Sequence, residues 1–255
     1  LAEQFPGPVL DLLDAAGDRT VFEHAGEEVS GARLLGMVRR AVRGLDKHGV
    51  GPGDGVAVLL GVGPGAFAAI LAAHVVGARV VGVRPGLTGP QRAHLLRDVA
   101  VRITDGPRDT GAPAAPEAPA THGTGPVLAL DDLLSAPDDG VRPRVRARPG
   151  DVARLLHTSG STGLPKACVQ TYAAMTAGWA HRPQAWPPAV RELAGRLDRF
   201  LVFGTLASQV MMEYGLLALA AGGTLVTADP PVLPDALVRY RATASVITVA
   251  RLTRL

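Results

Sequence analysis

The sequence predicts an α/β protein in which layered parallel and mixed sheets are flanked by helices. Three observations carry that reading. Short apolar runs alternate with longer amphipathic ones in a strand–helix rhythm along most of the chain. Hydrophobic residues make up 47% and charged residues 19%, the balance of a globular chain and not of a disordered one. Glycine and proline mark joins between runs, as at Gly53-Asp54-Gly55 and Pro64.

The elements follow in order. Gly31–His48 carries Leu34, Leu35, Val38, Val42 and Leu45 on one helical stripe with arginines elsewhere, an amphipathic helix. Gly53-Asp54-Gly55 then turns the chain into an apolar strand, Val56–Leu60. Pro64 suits the first turn of a helix running to about Val76, because its missing N–H has no helical partner to lose there. Arg79–Val83 reads as the next strand, Pro90–Val99 as an amphipathic helix and Val101–Thr104 as a strand. Gly106–Gly125 is low in complexity and is expected to be a mobile surface loop.

Val127–Leu134 returns to apolar periodicity, and Pro137–Gly150 is a polar connector. Within it Arg142–Arg148 is the densest basic patch, read as solvated because Pro143, Pro149 and Gly150 surround it. Strands Val152–His157 and Ala167–Thr171 and a helix from Tyr172 come next. The chain continues with strand Phe200–Phe203, a mostly buried helix Ala207–Ala221, a turn and strand over Gly222–Thr227, helix Pro234–Tyr240 and strand Ser245–Val249. The connectors suggest two α/β units, residues 1–150 and 151–255.

Composition excludes several functions. Net charge is +3 and the arginines are scattered, so no nucleic-acid partner is expected. A membrane span needs about eighteen uninterrupted apolar residues, and the richest stretch, Ala66–Val83, is broken by His74, Gly77 and Arg79. The opening residues, LAEQFPGPVLDLLDAAGD, lack the basic start and cleavage site of a signal peptide. A single cysteine, Cys168, rules out an intrachain disulfide and suits a reducing compartment, so a cytoplasmic location is expected. Cys168 itself reads as a small buried residue of its strand.

The chemistry-bearing segment is Thr158–Lys166, TSGSTGLPK. Glycine permits the backbone turns that aim successive N–H groups at phosphate oxygens. Thr158, Ser159, Ser161 and Thr162 add hydroxyl donors, and Lys166 a compact positive charge. Of 26 lysines and arginines only Lys47 and Lys166 are lysines, so one of the two stands in this turn. The spacing is not GxxxxGK followed by Ser or Thr: Gly160 and Gly163 are too close, and Ala167 follows the lysine. No histidine or acidic cluster shows metal-ligand spacing, and no GxSxG elbow is present.

The turn resembles the phosphate-binding signature of adenylate-forming, or AMP-binding, enzymes, which include acyl-CoA synthetases, peptide-synthetase adenylation domains and luciferases. That signature is an aromatic, TSG, Ser or Thr, then TGxPKG; here His157 replaces the aromatic and Ala167 the last glycine. Gly49–Ala57, GVGPGDGVA, is similar to the family's GVxPGDxVA turn, and Pro64–Pro85 with Leu87–Asp105 resembles its helix–strand–LT–helix succession. The resemblance is strongest to acyl-CoA ligases, since VVGVRP at Val80–Pro85 fits the peptide-synthetase AYVPLDP poorly. FLVFGTLASQVMMEYGLLALAAGGTLV resembles a ligase segment whose aromatic, histidine and glycine are matched here by Ala207, Ser208 and Met211.

The resemblance implies the large N-terminal domain of such an enzyme, incomplete at its C-terminal end. It implies ATP with Mg²⁺, a carboxylic acid substrate, and CoA or the pantetheine of an acyl carrier protein as acceptor. Thr158, Ser159, Gly160, Ser161, Thr162 and Gly163 would cradle the triphosphate and Lys166 would act as the catalytic charge; Ser208 and Met211 would line the acid pocket. Core packing is the competing role for Val210, Met211 and Met212. The family's Tyr-Gly-x-Thr-Glu segment and late lysine are not found, so the 255 residues are expected to be part of a longer ligase and inactive in isolation. Two other readings stand beside this one: a non-catalytic nucleotide-binding scaffold, and a peptide-synthetase adenylation domain taking an amino acid.

Overall fold

Pro6 opens the first helix, α1 (Gly7–Ala16), which buries Val9, Leu10 and Leu13. In the computed structural model the described residues are 3–83, 87–106, 125–158, 166–227 and 233–247. Strands β1 (Thr20–His24) and β2 (Glu27–Ser30) form a hairpin closed by Ala25-Gly26. Both turn residues have positive φ, 51° and 88°, the twist that suits a two-residue hairpin. Ser30 caps α2 (Gly31–Lys47), its hydroxyl accepting from the Arg33 N–H at 3.2 Å. The buried stripe of α2 is the predicted one, led by Leu34, Leu35, Val38 and Leu45.

Then come β3 (Gly55–Leu59), α3 (Pro64–Val75), β4 (Arg79–Gly82), α4 (Gly89–Leu95), β5 (Val101–Thr104), β6 (Val127–Ala129) and α5 (Leu130–Leu134). Thr88 and Gln91 start α4 with a reciprocal capping box. The remaining elements are β7 (Val152–Thr158), β8 (Lys166–Thr171), α6 (Tyr172–Thr176), a 3₁₀ turn (Pro183–Ala185), α7 (Pro188–Ala194), β9 (Arg199–Leu201), α8 (Gln209–Ala220), β10 (Thr224–Thr227), α9 (Asp235–Arg239) and β11 (Ala244–Ser245). Most of the expected loop at 106–125, and the end of the expected strand Ser245–Val249, lie outside the described residues.

Among the described residues two sheets form, in the orders β11-β9-β10-β1-β2 and β6-β5-β3-β4-β7-β8. Every pairing is parallel except the hairpins β1–β2 and β7–β8. Helix α3 touches β1 of the first sheet and β3 and β4 of the second. That explains its composition: buried from Gly65 to Val75, it has no polar face because it has no wet face. Phe22 of β1 meets Phe67 of α3 with ring centroids 6.2 Å apart, joining the layers. Each sheet takes strands from both sides of position 150, so a division into 1–150 and 151–255 does not coincide with the division into sheets.

One reading is corrected. Cys168 is exposed, not buried. It lies on β8, an edge strand, and its neighbour Val169 is also 58% exposed; successive residues point to opposite faces, so neither face is covered there. The connector around Arg142–Arg148 is exposed but tied down. Arg142 pairs with Glu3 at 2.6 Å and with Asp11, and Arg146 pairs with Asp46. Just upstream Arg39 grips Asp138 with two hydrogen bonds, which hold the Asp138 carboxyl down at about 2. Among the described residues no helix is long and apolar enough to cross a membrane.

Candidate active site at the rim of the second sheet

β7 runs parallel to β4, with Val80 opposite Arg154 and Val81 opposite Leu155. Its carboxyl end therefore rises to the same rim as those of β3, β4, β5 and β6, the side of a parallel sheet where ligand crevices form. β8 returns antiparallel, and the last pair in the register is Thr158 opposite Lys166. The two ends of the phosphate-loop sequence thus stand side by side, on the last two strands at the sheet's edge. Ser159, Gly160, Ser161, Thr162 and Gly163 lie outside the described residues.

A second segment reaches this rim from the other sheet. After β9 the chain turns at Gly204, whose φ is 94°. The Thr205 hydroxyl accepts from the Ala207 N–H at 3.1 Å, and the Thr205 carbonyl from the Ser208 N–H at 3.1 Å. This tight turn docks on the end of β4, where a Cβ on Gly82 would lie 2.8 Å from the Ala207 methyl. Gly82→Ala is therefore expected to cost about 2 kcal/mol, and Ala207→Gly in that background should restore most of it. A double-mutant cycle by urea denaturation would read this as strong coupling, whereas additive costs would count against the contact.

The structure thus brings Thr158, Lys166 and Ser208 to one region. Ser208 is half-buried at the start of α8, while Met211 is packed in the main core at 7% exposure. Val210, read as core, is 45% exposed on the first turn of α8. Nearby, Asp105 accepts from the Gly61 N–H at 2.9 Å and ties the exits of β5 and β3 together.

Below the rim are buried polar groups that the sequence reading passed over. Arg154 is 4% exposed and donates from Nε to Gln170 Oε1 at 2.5 Å. Burial lowers its pKa to about 10, with Glu213 opposing the shift. His181, also 4% exposed, is pushed down to about 4, by burial first and by Arg182 second. The signal was present, since an arginine interrupts the otherwise apolar run Val152–Leu156.

The profile of a family described as AMP-binding enzyme matches residues 13–255. The chain belongs to that family. Among curated relatives of this AMP-binding chain, isonitrile lipopeptide synthase of Streptomyces coeruleorubidus is 31% identical over 92% of this chain and 16% of its own length. Feruloyl-CoA synthase of an Amycolatopsis species is 31% identical over 62% of this chain and 31% of its own. The chain thus spans well under half of the curated relatives it matches. In structure, o-succinylbenzoate CoA synthetase of Bacillus subtilis in complex with AMP superposes with a TM-score of 0.76 at 19% identity, over 99% of this chain and 64% of that one. The Klebsiella oxytoca NpsA N-terminal subdomain does so with a TM-score of 0.68 at 18% identity, over 94% of this chain and 57% of that one. The fold is accordingly that of the N-terminal domain of adenylate-forming enzymes, as the sequence predicts.

Proposed function

We propose that this AMP-binding chain is the N-terminal part of a ligase that joins a carboxylic acid to a thiol, of CoA or of a carrier-protein pantetheine, by way of an acyl-adenylate. The observation that carries the reading is the pairing of Thr158 with Lys166 at the sheet rim, beside the docked turn Thr205–Ser208. ATP as co-substrate supplies the adenylyl group. Thr158, Ser159, Gly160, Ser161, Thr162 and Gly163 offer backbone and hydroxyl donors for its phosphate oxygens, and Lys166 offsets their charge. Ser208 borders the acid, with Met211 shaping the wall behind it. Among the described residues no cluster of three His, Cys, Asp or Glu is fit for a metal, so Mg²⁺ would draw its ligands mainly from phosphate oxygens and water. A cytoplasmic setting, argued from the lone Cys168, belongs to the same reading.

Lys166→Ala is expected to weaken ATP binding at least tenfold, about 1.4 kcal/mol, in the full-length protein while leaving its melting temperature unchanged. Calorimetric titration with ATP and Mg²⁺ tests this; an unchanged affinity would remove the lysine from the site. A second reading, an amino acid as the acid, draws support from the lipopeptide synthase relative that covers 92% of this chain. Pyrophosphate exchange with panels of amino acids and aryl or acyl acids separates the two.

A further inference from the structure

A cavity of about 50 Å³ lies between the β7–β8 hairpin, the segment 178–181 and α8. Its polar wall is Arg154, Gln170, His181 and Glu213, and Met175 and Met212 contribute apolar surface. Among the described residues, the side-chain hydrogen bond of Arg154 runs from Nε to Gln170 Oε1, on one edge of the guanidinium. The His181 Nε2 atom is buried and has no hydrogen-bond partner among the described residues. Glu213 does not neutralise this wall: it is half-exposed, accepts from Gln209 Nε2 at 3.0 Å, and forms no ion pair with Arg154. Burial is the leading cause of the depressed Arg154 pKa, and Glu213 offsets it in part.

Size and geometry define what would complete the wall. A dry cavity that takes benzene measures about 150 Å³; one a third as large admits a group of three or four heavy atoms. A guanidinium fork presents two parallel N–H donors that match a planar carboxylate. We propose that this cavity binds a carboxylate-sized oxyanion, held by the Arg154 fork with Gln170 and His181 beside it. The site is distinct from the phosphate loop: Arg154 precedes Thr158 on β7 by about 13 Å of extended strand. It therefore does not depend on the ligase reading. Two sources present the same chemistry, a free small acid and the far carboxylate of a longer one.

Titration of the chain with formate, acetate and succinate, followed by NMR of the Arg154 Nε–H and the His181 ring protons, tests the proposal. Saturable shifts with dissociation constants on the order of 10 mM are expected, weakened at least tenfold in Arg154→Met. Gln170→Leu provides a second arm should Arg154→Met fail to fold, and is expected to weaken binding severalfold. Succinate binding well above acetate assigns the site to the end of a longer acid, and equal affinities to a free one; either supports the site. Absence of saturation with all three anions, or affinities unchanged in both variants, overturns it and leaves a cavity holding water.

Discussion

Between pH 7 and pH 4 the chain is expected to lose about 6 kcal/mol of stability, comparable with the whole stability of many domains. The cause is a pair of buried, neutral histidines that both meet Phe5 edge-on, with ring centroids 5.2 Å away for His74 and 5.5 Å for His181. Burial lowers His74 to about 3, with Arg154 adding to the shift, and His181 to about 4. The Tyr172 hydroxyl donates to the Ala78 carbonyl at 2.6 Å, so the His74 contact to that hydroxyl at 3.3 Å has Nδ1–H as its donor. Unfolded, both rings titrate near 6.5. Below that value the unfolded chain takes up protons that the folded chain refuses. Stability is therefore complete above about pH 6.5 and falls by about 3 kcal/mol per pH unit at most, until the folded-state values are reached. Urea denaturation at stepped pH measures the slope, and His74→Phe and His181→Phe should each remove about half of it. A slope unchanged in both would assign the acid sensitivity elsewhere.

Gly223→Ala is expected to cost more than about 3 kcal/mol, the largest effect of any single methyl proposed here. A Cβ at this position would sit 2.2 Å from the Leu197 carbonyl oxygen and 3.1 Å from those of Ala218 and Asp198. All three are backbone atoms, so no side-chain rotation relieves the clash. Gly223 donates to Ala218 at 2.8 Å as the chain leaves α8, and the next residue, Thr224, donates to Asp198 at 2.8 Å as β10 begins. Since β10 is hydrogen-bonded to both β9 and β1, a shift at its start disturbs two registers together. The test is thermal or urea unfolding of the variant. Loss of less than about 1 kcal/mol would show that the turn yields more easily than its contacts require.

Local pattern announced the second sheet well. The stripe of α2, Pro64 at the start of α3 and the apolar strands Val56–Leu60 and Val101–Thr104 each express a period that burial on one or both sides imposes. The first sheet was harder to read. β1 is short and mixed in composition, TVFEH, and its parallel neighbour is far away in the chain, a partnership that no local period encodes. Helix α8 is apolar nearly all round, so its composition gives no hint that Val210 is exposed while Met211 and Met212 are enclosed. At the site, the turn sequence pointed to phosphate chemistry, but the docking of Ala207 on Gly82 is a contact between sheets and leaves no mark in spacing. Arg154 was visible as a lone charge among apolar neighbours; its meaning needed Gln170, His181 and α8 around it.

The pairing of β1 with β10 also sets a timetable for biosynthesis. His24 and Thr227, which share a 2.7 Å hydrogen bond at the ends of these strands, are 203 residues apart. At about 5–20 residues per second, β1 leaves the ribosome on the order of 10–40 s before the strand that completes its sheet. During that interval the hairpin β1–β2 offers an open edge and the apolar faces of Val21 and Phe22 to any other nascent strand. Helix α1, already made, contacts β1, and α2, made immediately afterwards, contacts both strands. The order of synthesis thus leaves the β1–β2 hairpin packed on these helices until the far half arrives.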